Sequence, residues 1–182
     1  MGKIVKTFKS KKGNAVVVRY PTWEDLDDMH QYINELSRED TFLSVLGKKY
    51  SLEEEKEFLR TTIKNIEKGL MRHYAVFVNG TYAGNCEIER PKEHRQQHIG
   101  IPGISLRKKY RGEGIGKELF QMLIEEAKHM RLRLLKLTCF ENNPLALRMY
   151  EQFGFTRVGV IPGAIAYKNG YVGEVIMYLP LV

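Results

Sequence analysis

Apolar positions along the chain switch between two spacings, alternate residues in some stretches and every third or fourth in others. Residues 15–20 are largely β-branched and predict a strand. Pro21 stops it. Thr22 is placed to cap a helix over 23–37, in which Leu26, Met29, Ile33 and Leu36 share a face. Ser51 and Glu54 form a capping box for a second helix reaching Lys68, and Gly69 suits its C-terminal end. Residues 73–78 and 81–89 read as strands joined by Asn79-Gly80, a strong hairpin signal because both residue types tolerate positive φ. Residues 94–98 are a polar loop. Residues 99–106 form another strand, in which Pro102 and Gly103 predict a bulge or a poorly paired stretch. A helix over 114–130, a strand over 133–140, a short helix over 143–153 and strands near 155–160 and 171–179 complete the pattern. The order β-αα-βββ-α-β-α-ββ describes an α/β chain with a mixed sheet and helices on both faces. With no repeat, low-complexity stretch or linker, residues 1–182 are expected to form one domain.

Composition narrows this little. Hydrophobic residues make up 43% and charged ones 28%, which suits a globular chain rather than a disordered one. Cys86 and Cys139 lack metal-site spacing and read as reduced thiols, so no metal is expected. The first 12 residues are polar and basic, without the apolar stretch of a secretory signal, and Lys6 breaks the myristoylation pattern. No apolar run is long enough to span a bilayer. A cytoplasmic location without membrane contact is the expectation. The net charge of +7 is compatible with ordinary solubility and with attraction to a phosphorylated cofactor, RNA or an acidic surface.

The informative segment runs from Leu106 to Lys117. A strand enters three alternating glycines, Gly112, Gly114 and Gly116, which open an amphipathic helix. Exposed backbone N–H groups and the helix N-terminus make such a turn suited to phosphate. Five cations, Arg107, Lys108, Lys109, Arg111 and Lys117, surround it. A P-loop is excluded, because three residues rather than four separate Gly112 from Gly116, and Glu118 stands where Ser or Thr is needed. A dinucleotide fingerprint is excluded because Lys117 replaces its last glycine.

The remaining pattern, Arg111-x-x-Gly114-x-Gly116, resembles the pyrophosphate-binding motif of GNAT acetyltransferases. A second segment, Asn143-x-x-Ala146-x-x-Met149-Tyr150-x-x-x-Gly154-Phe155, is similar to that superfamily's following signature and lies in the right order. The resemblance implies a twisted mixed sheet of six to seven strands, splayed at the cofactor and flanked by about four helices. It implies transfer of an acetyl group from acetyl-CoA to a primary amine by direct attack in a ternary complex. The acceptor would be a small amine, an amino acid or polyamine, or a protein N-terminus or lysine.

By the same resemblance, Ile104, Ser105 and Leu106 offer a strand edge to the cofactor, with the Leu106 N–H as oxyanion donor. Arg111, Gly112, Glu113, Gly114, Ile115, Gly116 and Lys117 hold its pyrophosphate. Asn143 contacts the cofactor or simply caps its helix, two compatible roles. Tyr150, two turns along the same face, would protonate the leaving thiolate. The strands on either side of the helix over 114–130 carry no acid. The nearest candidates for a general base are therefore Glu87 and Glu89, which face the same side of one strand, with Glu141, His94 and His98 weaker. Water alone remains an alternative. Tyr167, Tyr171 and Glu174 are candidates for binding the acceptor or are ordinary hairpin residues. The family also permits a homodimer. The rival class is a basic module for RNA or a ribosomal partner in which CoA is only sensed. The cations gather at the glycine turn and no RNA-binding motif is present, so nucleic acid is the less favoured partner.

Overall fold

The computed structural model describes residues 2–39, 42 and 47–181. Eight strands are present among these residues: β1 (Ile4–Lys9), β2 (Ala15–Arg19), β3 (Met71–Val78), β4 (Thr81–Glu89), β5 (Ile99–Leu106), β6 (Leu134–Phe140), β7 (Thr156–Tyr167) and β8 (Gly170–Pro180). They form one sheet in the order β1-β2-β3-β4-β5-β6-β8-β7, antiparallel except at β5–β6. The four helices are α1 (Leu26–Leu36), α2 (Leu52–Glu67), α3 (Ile115–His129) and α4 (Pro144–Gln152). One face packs Met29, Tyr32 and Leu36 of α1 and Leu59 of α2 against Phe77 and Tyr82. On the other face Leu119, Phe120 and Leu123 of α3 meet Val76, Ile88 and Leu135, with Met149 and Tyr150 of α4 packed alongside.

Local signals shape the ends of these elements as expected. Ser51 N–H donates to the Glu54 carboxylate at 2.8 Å, and Glu54 N–H donates to the Ser51 hydroxyl at 3.2 Å. Gly69, at φ +70°, lets α2 close with bonds from Gly69 N–H to Ile66 and from Leu70 N–H to Asn65. Asn79 and Gly80 have φ of 48° and 78° in the tight β3–β4 turn.

Four expectations change. The sheet has eight strands, not six to seven, because β1 pairs with β2 at the sheet edge. Its Ile-Val-Lys-Thr-Phe-Lys sequence mixes apolar and basic residues, as an edge strand with little burial can. The β7 strand runs on through Pro162 and Gly163 to Tyr167, absorbing them in a register shift between Ile161 and Ile165. A 3₁₀ turn at Trp23–Asp25 precedes α1, with the Thr22 N–H bonded to Asp25 at 2.7 Å. Finally, β5 pairs without a shift along β4 through Ile88↔Pro102 and Glu87↔Gly103, so there is no bulge on that side. The pairing fails on the other side, toward β6.

Candidate active site

The β5–β6 ladder consists only of Ile99↔Leu134 and Gly100↔Leu135. Its end has a local cause. Arg107 N–H donates to Ala83 O at 2.7 Å, and the Ser105 carbonyl lies 2.1 Å from where a β-carbon on Gly84 would stand. Ser105 and Arg107 thus turn their backbone groups toward β4. Strand alternation then turns those of Gly100, Pro102, Ile104 and Leu106 toward β6. Gly100 pairs there, and the next position in that row is Pro102, which has no N–H to give. The strands part, and the N–H groups of Ile104 and Leu106 face the opening. Gly84 is a feature the sequence reading overlooked, although an isolated glycine within a strand is itself a signal of close backbone approach.

A cavity of about 520 Å³ occupies the opening. From β5 it is lined by Ile104, Ser105 and Leu106; Arg111 and Gly116 contribute from the glycine turn, and Asn143, Ala146, Met149 and Tyr150 from α4. Seven residues singled out from the sequence therefore meet at one place. Asn143 caps α4, its side-chain oxygen accepting from Ala146 N–H at 3.2 Å, so the plain capping role is present alongside its place in the cavity wall. Tyr150 packs on Phe120 at 5.2 Å and Phe155 at 5.9 Å. Its hydroxyl is pushed up to about 12, first by burial and then by nearby Cys139. The group therefore holds its proton at neutral pH, as a proton donor must.

The glycine turn divides its residues between ligand and fold. Gly112 and Gly114 have φ of 76° and 81°, which side-chain-bearing residues avoid. Gly116 is helical, and a β-carbon there would meet nothing within 4 Å. Ile115 is buried in the core, so only its backbone faces the turn. Lys117 is exposed. One expectation is corrected, the place of Arg107 among the cations around the turn, and the Glu113 side chain has a structural task of its own. The Glu113 side chain is buried and turned toward the β1–β2 hairpin, accepting from Ser10 and Asn14 at 2.8 Å each and pairing with Lys12 at 3.2 Å. Arg107 is buried and turned away from the turn, bonded to Tyr82 O at 3.0 Å and to Glu35. Arg111 donates to Leu106 O at 2.8 Å and to Glu39 at 2.7 Å, fixing the end of β5 to the segment after α1.

The two candidate bases differ. Glu87 contacts His73 Nδ1 at 2.7 Å. Burial by itself would raise its carboxyl, but the hydrogen bond from His73 and attraction to the same ring outweigh this and hold it below the ordinary range. Glu89 is pushed up by burial and by the Glu87 charge, partly offset by Lys92. Of the weaker options, Glu141 follows β6 and pairs with Arg157 at 3.6 Å, His94 sits in an exposed 3₁₀ turn, and His98 precedes β5. Of the acceptor candidates, Tyr167 stacks on Phe42 at 5.5 Å with an 11° interplanar angle and meets Phe140 edge-on at 5.9 Å. Phe42 also borders the cavity. Tyr171 is 78% exposed, and Glu174 pairs across β8 with Phe140 and Ile161. Neither His73 nor Phe42 was legible as a site residue, since neither belongs to a motif. Among the described residues, no three His, Cys, Asp or Glu side chains gather as a metal site requires, and no helix is long and apolar enough to cross a membrane.

The profile of the acetyltransferase (GNAT) family matches residues 29–155, from α1 to the start of β7. The chain belongs to the GNAT family. An uncharacterized N-acetyltransferase of Lactobacillus delbrueckii subsp. lactis is 30% identical over 140 residues, 71% of this chain and 80% of that one. The uncharacterized N-acetyltransferase YycN of Bacillus subtilis is 36% identical over 74 residues, 41% of this chain and about half (47%) of that protein. Among solved structures, a GNAT acetyltransferase from Streptococcus pneumoniae superposes with a TM-score of 0.81 at 25% identity, covering 91% of this chain and 99% of that one. YncA of Salmonella typhimurium, solved with acetyl-CoA, shares the fold with a TM-score of 0.79 at 14% identity over 92% and 94% of the two chains. By family this GNAT chain is an acyltransferase, and the splayed sheet with its flanking helices is the GNAT fold.

Proposed function

We propose that this GNAT protein transfers an acetyl group from acetyl-CoA to a primary amine. The observation that carries the reading is the splayed edge of β5, where the N–H groups of Ile104 and Leu106 face a cavity bounded by the glycine turn and Tyr150. The residues fit the cofactor: an open strand edge suits an amide-bearing arm, and Gly116 leaves room for phosphate at a helix N-terminus. Acetyl-CoA found with the Salmonella typhimurium neighbour supports the same choice. The cofactor supplies the acyl group already activated as a thioester.

The chain's own residues have the following tasks. Ile104, Ser105 and Leu106 orient the donor, and the Leu106 N–H is the hydrogen-bond donor for the carbonyl oxygen as it gains charge. Arg111, through Leu106 O, keeps that edge in place. The Tyr150 hydroxyl gives a proton to the departing sulfur. Glu87 is the better-placed of the two carboxylates to take a proton from the amine, since it stands opposite Gly103 at the start of the splay. Tyr167 and Phe42 border the acceptor side. The acceptor classes remain a small amine, an amino acid or polyamine, or a protein N-terminus or lysine.

The test is thiol release from acetyl-CoA against spermidine, a set of L-amino acids, peptides beginning with alanine and lysine-containing peptides, with CoA affinity measured by calorimetry. Turnover of at least one amine together with CoA binding is expected. Absence of both would remove the proposal.

A further inference from the structure

We infer that His73 and Gly103 are positioning residues that make Glu87 the proton acceptor of the transfer. This deepens the acetyltransferase reading and rests on it. The three residues form one row across neighbouring strands, with His73 of β3 opposite Glu87 of β4 and Glu87 opposite Gly103 of β5. Opposed residues in a sheet point to the same face, here the one covered by α1 and α2.

Each end of the row constrains the carboxylate. On one side, a β-carbon at Gly103 would lie 3.0 Å from Glu87 Oε1 and 3.3 Å from its Cγ. The missing side chain is what lets Glu87 lie across β5, two residues before Ser105 and next to Ile104, both of which border the cavity. On the other side stands His73, 0% exposed, with Nδ1 at 2.7 Å from Glu87 and Nε2 without a partner among the described residues. A neutral imidazole carries one N–H. Placed on Nδ1, that proton meets the carboxylate and leaves Nε2 as a bare acceptor. The opposite tautomer would set a lone pair against the carboxylate and strand a buried N–H. In a neutral ring the contact therefore fixes the tautomer, in a protonated ring both nitrogens carry protons, and in either case Nδ1 donates to Glu87; Phe58 of α2, edge-on to the ring at 5.9 Å, limits its rotation. Other titratable groups near the row are Glu89 on β4, Glu55 on α2 and His30 on α1, while β5 brings only the glycine.

The row gives Glu87 the properties of a base for an amine that reaches the splay. Its carboxylate stays ionised because His73 donates to it, and it is aimed across β5 because Gly103 leaves the space. As the amine nitrogen bonds to the acyl carbon and the carbon–sulfur bond breaks, the nitrogen's proton passes to a Glu87 oxygen, while the departing sulfur takes the Tyr150 proton, which the phenol recovers from water. With 35% of its side chain exposed, Glu87 then returns the proton to water. Glu89 lacks both a histidine partner and a glycine opposite, since it faces Ile101.

The test uses the intact chain and the amine that gives the highest turnover in the panel above. Four variants are compared with the parent for kcat, CoA affinity, melting temperature and the pH dependence of kcat/KM. Glu87→Gln is expected to lower kcat by about tenfold or more. Gly103→Ala, a change its backbone accepts, should lower kcat several-fold by displacing the carboxylate. Both should bind CoA as the parent does. In His73→Leu the opposing hydrogen bond is gone, burial alone acts on Glu87, and the acid limb of kcat/KM should move to higher pH. His73→Gln keeps a donor and should restore part of the difference. The amine is the same throughout, so its own ionisation cancels. Turnover within about twofold of the parent in both Glu87→Gln and Gly103→Ala, beside intact CoA binding, overturns the inference and leaves the acetyltransferase reading standing. An unmoved acid limb in a folded His73→Leu protein removes His73 from it. If His73→Leu does not fold, His73→Gln carries the same measurement, and an acid limb identical to the parent's removes His73 from the inference. A parent that neither binds CoA nor acetylates any amine fails at the earlier step, and this inference falls with it.

Discussion

Glu113 and Ser10 lie 103 residues apart in the chain, yet the Ser10 hydroxyl donates to Glu113 Oε2 at 2.8 Å. Asn14 donates to the same oxygen at 2.8 Å, and Lys11 N–H donates to Glu113 O at 2.9 Å. The turn between β1 and β2 is thereby tied to the glycine turn, and the Lys11 side chain is laid against Gly114. A conformation with two positive-φ glycines is costly to hold, and these bonds hold it from outside the motif.

The tie should depend on pH. Hydrogen bonds from Asn14 and then Ser10 lower the Glu113 carboxyl in the folded state. The stability it contributes is therefore present above the unfolded glutamate value, about 4.3, and is lost as pH falls through the lower folded value. Glu113→Gln should melt below the parent at neutral pH, and the gap should close under acid. Melting curves from pH 3 to 7 check this. A gap that is constant with pH would mean that the charge is irrelevant.

Gly116 separates ligand binding from folding. A β-carbon there meets nothing of the protein within 4 Å, and the residue is helical, so Gly116→Val should leave melting unchanged or slightly raised. The added side chain would stand in the cavity, and CoA affinity should fall by about tenfold or more, costing about 1.4 kcal/mol of binding. Calorimetry beside a melting curve decides, and parent-like affinity would take phosphate away from this turn.

Tyr150→Phe should reduce kcat far more than CoA affinity. Its hydroxyl has no hydrogen-bond partner among the described residues, so the change strands no buried group and stability should stay within about 0.5 kcal/mol. General acids contribute about 10²- to 10⁴-fold, and the lower end is expected because a thiolate leaves without full protonation. A kcat close to that of the parent would be the end of Tyr150 as the acid.

The two hairpin tyrosines should behave differently. Tyr167 stacks on Phe42 beside the cavity, whereas Tyr171 is largely exposed. Tyr167→Ala should raise KM for the amine several-fold without changing CoA affinity, and Tyr171→Ala should change neither. Steady-state kinetics with the amine varied at saturating acetyl-CoA compares them, and equal effects would place the acceptor elsewhere.

Much of this site was legible before the structure, because its signals are local. The capping box at Ser51 and Glu54, the Asn79-Gly80 turn and the glycines opening α3 each declare a conformation within a few residues. Two such local motifs in the right order were enough to indicate the GNAT family, and six of the residues they name, Arg111, Gly116, Asn143, Ala146, Met149 and Tyr150, do meet in one cavity. Pro102 was read as a mark of a bulge or of poor pairing; the poor pairing is present, but the neighbour it falls on was not legible. Which side of β5 lacks an N–H depends on strand register, and that is set by β4.

By itself the sequence determined the element order, the glycine turn and the positions of Asn143 and Tyr150, since backbone conformation and helix periodicity act over short spans of chain. Tertiary structure alone decided that the Glu113 side chain is bonded to the hairpin, that Arg107 is buried against Glu35, and that Glu87 rather than Glu89 has a histidine on one side and a glycine on the other. These outcomes rest on which strands neighbour one another and in what register. Both are settled by burial over the whole sheet, and a shift of one residue in β4 would turn Glu87 to the opposite face.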